Sequence, residues 1–122
     1  MTHGTVGWIQ VDTDDPAGAE KFYGELFDWT FAADPNGGGK YHLATGAGAE
    51  HPHGGILDTE GNSPSRATFV VIVSDVAKAV AEAERLGGKV VNPPTTTPSG
   101  LTFADLQDPA GNHFGVFTRP GA

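Results

Sequence analysis

Two stretches of this chain carry the same punctuation sixty positions apart: Asp15 stands over Asp75, Ala17 over Ala77, Ala19 over Ala79 and Leu26 over Leu86. The same order of apolar segments and turns runs around each set. An internal repeat constrains the fold strongly, because each copy must be one supersecondary unit and both must share an architecture. In the first copy, residues 5–12 alternate as a strand, with Trp8, Gln10 and Asp12 on one face and Gly7, Ile9 and Val11 on the other. Asp15 then offers a helix N-cap, and Pro16 sits at the first helical position, where a missing N–H costs nothing. Ala19, Phe22, Tyr23, Leu26 and Phe27 follow at helical spacing, an apolar stripe expected to pack on a sheet. Short strands are predicted at 30–33, 40–45 and 54–58.

After the turn-rich GNSPS (61–65) the programme restarts. Residues 67–74 read as a strand, and DVAKAVAEAERLGG (75–88) as a helix capped by Asp75 and closed by Gly87 and Gly88, with Val76, Ala79, Val80, Ala83 and Leu86 inward. Residues 90–92, 101–106 and 113–118 complete three more strands. The fold class is therefore α+β, built from two βαβββ modules, about 1–60 and about 61–122, in one domain of 122 residues. The tetrapeptide DPAG occurs twice, at 15–18 before a helical stripe and at 108–111 before an alternating strand. It starts a helix once and turns a hairpin once, because its neighbours decide.

Charge and composition exclude several classes. Fifteen acidic against seven basic side chains leave a net charge of -8, which repels nucleic-acid backbones and anionic lipid. There is no cysteine, hence no disulfide, thiolate zinc site or cysteine nucleophile. The apolar run FVVIV (69–73) is far too short to span a bilayer, and MTHGTVGWIQ lacks the pattern of a secretory signal, so a cytoplasmic location is expected. PNGGGK (35–40) is followed by no helix and reads as a hairpin turn rather than a phosphate loop.

The βαβββ repeat, the helix text FYGELFDW (22–29), LGGKV (86–90) and the DPAGNHF turn (108–114) together resemble the glyoxalase, bleomycin-resistance and extradiol-dioxygenase superfamily, the vicinal oxygen chelate proteins. The resemblance covers nearly the whole chain. It implies that the two modules curl a mixed sheet around a cleft with the helices outside, and that a chain of this length forms a homodimer. It further implies where a metal would sit: metal-using members carry four ligands, one from each of four strands, usually His or Gln on the first strand of each module and Glu on the last. An ion held there binds vicinal oxygens of a substrate or activates dioxygen.

Those positions fall here at Trp8, seven before Asp15; near 56–58, where only Asp58 could ligate; at Phe69, six before Asp75 within one residue; and at Gly115, four after Gly111. The side-chain positions of Trp8, Phe69 and Gly115 offer a metal neither lone pair nor charge, and one carboxylate does not hold a catalytic ion. The expectation is no metal and no cofactor.

Trp8, Phe69 and Phe117 either plug the cleft as core or form a stacking floor for a planar, apolar ligand, with Gln10 and His113 as polar handles and Gly115 leaving room. His113 is also the one weak candidate for a general base. His51 and His53, with Glu50, read as a solvated loop more readily than as a metal site, and His3 as a frayed terminus. His42 alone carries no reading. Arg66 and Arg119 flank strands, as surface charges or as rim groups for an anion, and Tyr23 and Trp29 read as helix–sheet packing. The leading expectation is metal-independent binding of a small, largely apolar or aromatic molecule. The alternative is a lyase, isomerase or dioxygenase with a displaced metal site or metal-free acid–base chemistry.

Overall fold

The computed structural model describes residues 3–119 and contains, among them, eight strands and two helices in the order β1 (Val6–Thr13), α1 (Pro16–Phe27), β2 (Thr30–Ala33), β3 (Tyr41–Thr45), β4 (Gly54–Asp58), β5 (Arg66–Ile72), α2 (Val76–Arg85), β6 (Lys89–Thr96), β7 (Thr102–Gln107) and β8 (His113–Thr118). This is the α+β class with the βαβββ order twice over. Among the described residues no helix is long and apolar enough to cross a membrane.

The chain divides into two compact units, one of residues 8–68 and one of residues up to Gly7 and from Phe69 on. The 8–68 unit orders its strands β2-β3-β4-β1, with β4 antiparallel to β3 and parallel to β1. That parallel pair is possible because α1 and the β2–β3 hairpin lie between β1 and β4 in sequence, as a crossover requires. Val11 is the partner of Ile56 and Ile56 of His42, and the His42 ring meets Glu20 of α1 at 3.0 Å. Val11, Ile56 and His42 therefore face α1, while Trp8, Gln10, Asp12, Leu57 and Tyr41 face the other way. Beneath the helix, Ala44 and Ile56 are each only 2% exposed. A Cβ on Gly54 would stand 2.5 Å from the Ile9 carbonyl oxygen, so β1 approaches β4 there as only glycine allows.

The second unit orders its strands β5-β8-β7-β6, with β5 and β8 parallel. Val73, Val76, Val80, Ala104, Leu106 and Val116 form its core, α2 packing across β6, β7 and β8. Asp75 accepts from Lys78 N at 3.1 Å as N-cap, and Gly88 N donates to the Ala83 carbonyl at 2.8 Å past Gly87, whose φ of +97° glycine tolerates.

Three expectations change. β6 runs on through Pro93 and Pro94, because it is the outermost strand and its unpaired side needs no N–H there. Leu86 is 61% exposed rather than inward, since the helix ends before it. And α1 buries none of its residues: Phe22, Leu26 and Phe27 of the expected stripe stand 60%, 58% and 50% exposed.

Candidate functional site

In the 8–68 unit, the β1 face turned away from α1 carries a polar relay. Gln10 Nε2 donates to Asp12 Oδ1 at 2.8 Å, and Arg66 Nε lies 3.2 Å from Asp12 Oδ2. Asp12 is 5% exposed, so its carboxylate is held in place by these two partners. The contact with Arg66 is ionic rather than a well-aligned hydrogen bond, for the buried Nε has no hydrogen-bond acceptor in line. Two residues back along the same face, the Trp8 indole N–H donates to the Tyr41 hydroxyl at 2.8 Å, leaving the half-buried indole ring as an apolar surface. The Tyr41 ring lies over Gly55, where any side chain would collide with it.

At the C-terminal end of β1 a groove of about 420 Å³ opens, its polar lining including Asp12, Asp15 and Arg66 and its apolar lining Val11, Phe22 and Ala67. Asp15 is fixed as the α1 N-cap, its Oδ1 accepting from Gly18 N at 3.0 Å, and Thr13 Oγ1 accepts from Asp15 N at 3.0 Å. The groove therefore combines charged groups with an exposed aromatic.

The positions at which metal-using relatives of the resembled superfamily hold their ion can now be read from the register. Trp8 and Gln10 share the face turned away from α1. On β4 the residue on that face is Leu57, the partner of Asp12, whereas Asp58 pairs with Thr13 and uses Oδ1 to accept from Glu60 N at 2.9 Å in the following turn. In the other unit the partner of Gly115 is Val70, not Phe69. Phe69 belongs to the α2 side, where it stacks on Phe114 with centroids 5.9 Å apart and is 45% exposed. The expectation that Phe69 shares a face with Gly115 and Phe117 was thus one residue out of register. Neither Trp8 and Leu57 in the one unit nor Val70 and Gly115 in the other is a ligand of the kind that superfamily uses for its metal. Among the described residues no three His, Asp or Glu side chains come together as a metal site elsewhere.

The remaining expected residues lie in the second unit. Phe117 is 7% exposed, with the Arg119 guanidinium 5.8 Å from its ring centre. Gly115 is buried, and a Cβ there would stand 3.2 Å from Val70 Cγ1 and 3.5 Å from Asp105 Oδ1, so the room that glycine leaves is occupied by these neighbours. The Gln107 amide nitrogen lies 2.9 Å from His113 Nε2.

Of the other histidines, His3 is not frayed: its Nδ1 accepts from Ser74 N at 3.1 Å. His53 packs edge-on against Trp29 at 4.4 Å and its Nε2 is buried, while His51 is exposed. Tyr23 stacks on Trp29 at 5.4 Å, as packing residues do. What sequence reasoning missed is Asp12, which it placed on the Trp8 face but did not single out, and its pairing with Arg66. A carboxylate in alternation with Trp8 and Gln10 inside a strand was the available signal.

Comparison with known proteins bears on this geometry. A family described as a glyoxalase-like domain matches residues 8–117. A glyoxylase-like domain-containing protein of Didymella fabae is 30% identical over 99% of this chain and 98% of its own length. The anthracycline biosynthesis protein DauV of Streptomyces sp. (strain C5) is 33% identical over 93% of the chain, which spans only 41% of DauV. The Mn(II)-bound glyoxalase from Novosphingobium aromaticivorans has a similar fold, with a TM-score of 0.69 at 20% identity over 97% of this chain and 40% of that one.

Proposed function

The chain belongs to the glyoxalase-like family, and from that premise we propose that it binds a small, largely apolar or aromatic molecule without the help of a metal ion. One observation carries the reading: the positions that would hold an ion present Trp8, Leu57, Val70 and Gly115, so affinity must come from apolar burial and stacking, with a few polar groups to orient the ligand. Trp8 and Gln10 are the recognising pair in the 8–68 unit. In the other unit His113, Gly115 and Phe117 are the corresponding candidates, with Val70 in the place expected of Phe69. The similarity to a protein of anthracycline biosynthesis supports the reading, since anthracyclines are planar polycyclic aromatics.

The test is a titration of tryptophan fluorescence and melting temperature against a panel of planar hydrophobic compounds, with elemental analysis of protein purified without an affinity tag. Saturable binding by metal-free protein is expected. A stoichiometric divalent ion, or a panel without a single binder, overturns the reading. Sequestration of the ligand in the cytoplasm by a homodimer completes the proposal. The exposed Leu26 and Phe27 at the C-terminal end of α1 support self-association, which sedimentation equilibrium measures.

A second reading, an isomerase or lyase working by metal-free acid–base chemistry, is favoured by the buried Asp12 carboxylate held between Gln10 and Arg66. Loss of turnover, with ligand binding retained, in an Asp12→Asn variant would distinguish it.

A further inference from the structure

The groove lies at the C-terminal end of β1 and beside α1, four residues along the strand from Trp8. We infer that it is a second ligand subsite and that its occupant is a neutral aromatic compound bearing a ketone or similar carbonyl oxygen at one edge. The inference rests on the small-molecule reading above and assigns the chemistry of the polar edge. Three observations lead to it.

First, the apolar lining is built for a flat ring. Phe22 is 60% exposed beside Val11 and Ala67, although it lies in the middle of a helix. An exposed phenyl against small aliphatic groups offers a stacking wall that the chain itself leaves uncovered.

Second, the polar lining offers donors. Arg66, 32% exposed, meets Asp12 through Nε, and among the described residues no hydrogen bond from its Nη1 or Nη2 accompanies that contact. Arginine carries five N–H donors in a fixed fork, so a ligand acceptor oxygen can use those that Asp12 leaves.

Third, charge selects among acceptors. Asp12 and Asp15 together outweigh Arg66 by one negative charge, in a chain whose net charge is -8. A carboxylate or phosphate is attracted by the guanidinium and repelled by both carboxylates. A neutral carbonyl takes the arginine donors without that repulsion. An ammonium is repelled by the guanidinium and finds both carboxylates already engaged, Asp12 by Gln10 and Arg66 and Asp15 by the Gly18 N–H.

Three probes that share a naphthalene ring decide the matter: 2-acetylnaphthalene (neutral ketone), 2-naphthoate (carboxylate) and 2-naphthylmethylammonium (cation). Each is titrated by calorimetry into full-length protein, with backbone amide shifts mapped. The ketone is expected to bind about tenfold tighter than either ion, with the largest shifts at Thr13, Phe22 and Ala67. Phe22→Ala, a surface change that leaves the fold intact, and Arg66→Gln should each weaken the ketone by about tenfold. Should Arg66→Gln fail to fold, Phe22→Ala and the rank order of the probes still decide. Tighter binding of the naphthoate or of the cation, or ketone affinity unchanged in Phe22→Ala, overturns the inference. Ketone binding with shifts centred on Trp8 and Tyr41 overturns it too, but leaves the general binding function standing. If none of the three probes binds at any site, both fail.

Discussion

The two helices occupy equivalent places in the repeat and are capped alike, yet they meet their sheets differently. Helix α2 buries Val76 and Val80 and packs across three strands, with its charged residues outward. Helix α1 packs chiefly on β4, buries no residue, and shows solvent three of the largest apolar side chains in the protein. The chain therefore holds one unit together with a conventional core. In the other it spends its large apolar residues on an exposed face. Residues left in water by folding do not stabilise the fold, so their presence points to a role in contact with something else.

Mutations at matched places can break this contrast. The largest effect is expected at Leu106, 1% exposed in the α2 core: Leu106→Ala should cost about 3 kcal/mol in urea unfolding, through lost burial and a residual cavity. Leu26→Ala removes the same atoms from a residue 58% exposed and should cost no more than about 0.5 kcal/mol. Equal losses at the two sites would mean that α1 is covered in solution, and sedimentation of both variants would show whether a second copy covers it.

Next in size is the pair that anchors the 8–68 unit. Asp12→Asn should destabilise by about 2 kcal/mol, because Arg66 keeps a partly buried charge without its partner; the partial exposure of Arg66 places the figure below that of a fully buried pair. The double variant Asp12→Asn, Arg66→Gln should recover part of the loss. Additive losses would show that the two charges do not interact in solution.

The N-caps give a smaller, symmetric effect. Asp15 and Asp75 each accept from the backbone N–H three residues on, so Asp15→Ala and Asp75→Ala should each cost about 1 kcal/mol. The C-termini differ: α1 ends on Asp28 with a φ of 60°, where α2 is followed by Gly87. Asp28→Gly keeps the left-handed turn but removes the side chain that disfavours it, and it should raise the melting temperature, by about 0.5 kcal/mol in stability.

Much of this architecture was legible in the sequence. The caps, the order of elements along the chain and the bounds of β2 and β4 follow from local patterns that tertiary contacts did not override. The burial of α1 was not legible, because periodicity specifies a stripe and says nothing of whether the chain supplies a surface to cover it. The register of β5 was lost for another reason. In FVVIV both faces are apolar, so alternation cannot say which residues look toward α2, and only pairing with β8 places Val70 opposite Gly115. The ion pair of Asp12 with Arg66 joins residues 54 positions apart, a distance over which no spacing rule operates.

The smallest effect separates the two DPAG segments. Both begin with an aspartate that accepts backbone N–H groups, but Asp108 closes the β7–β8 hairpin and gains a side-chain partner as well: Asn112 Nδ2 donates to Oδ2 at 2.9 Å, while the backbone N–H groups of Ala110 and Asn112 reach Oδ1 at 2.9 and 3.0 Å. These bonds favour the ionised carboxylate, the Asn112 side chain most of all, and hold its pKa below the ordinary value of 3.8. A depressed folded-state pKa contributes stability above the unfolded-state value, and that contribution fades as pH falls through the folded one. Asp108→Asn should therefore lower the melting temperature slightly at pH 7, and the gap from the parent protein should close below about pH 4. A gap that persists at pH 2 would assign the effect to the shape of the turn rather than to the charge. The hairpin would then depend on the same local geometry that lets DPAG start a helix at Asp15.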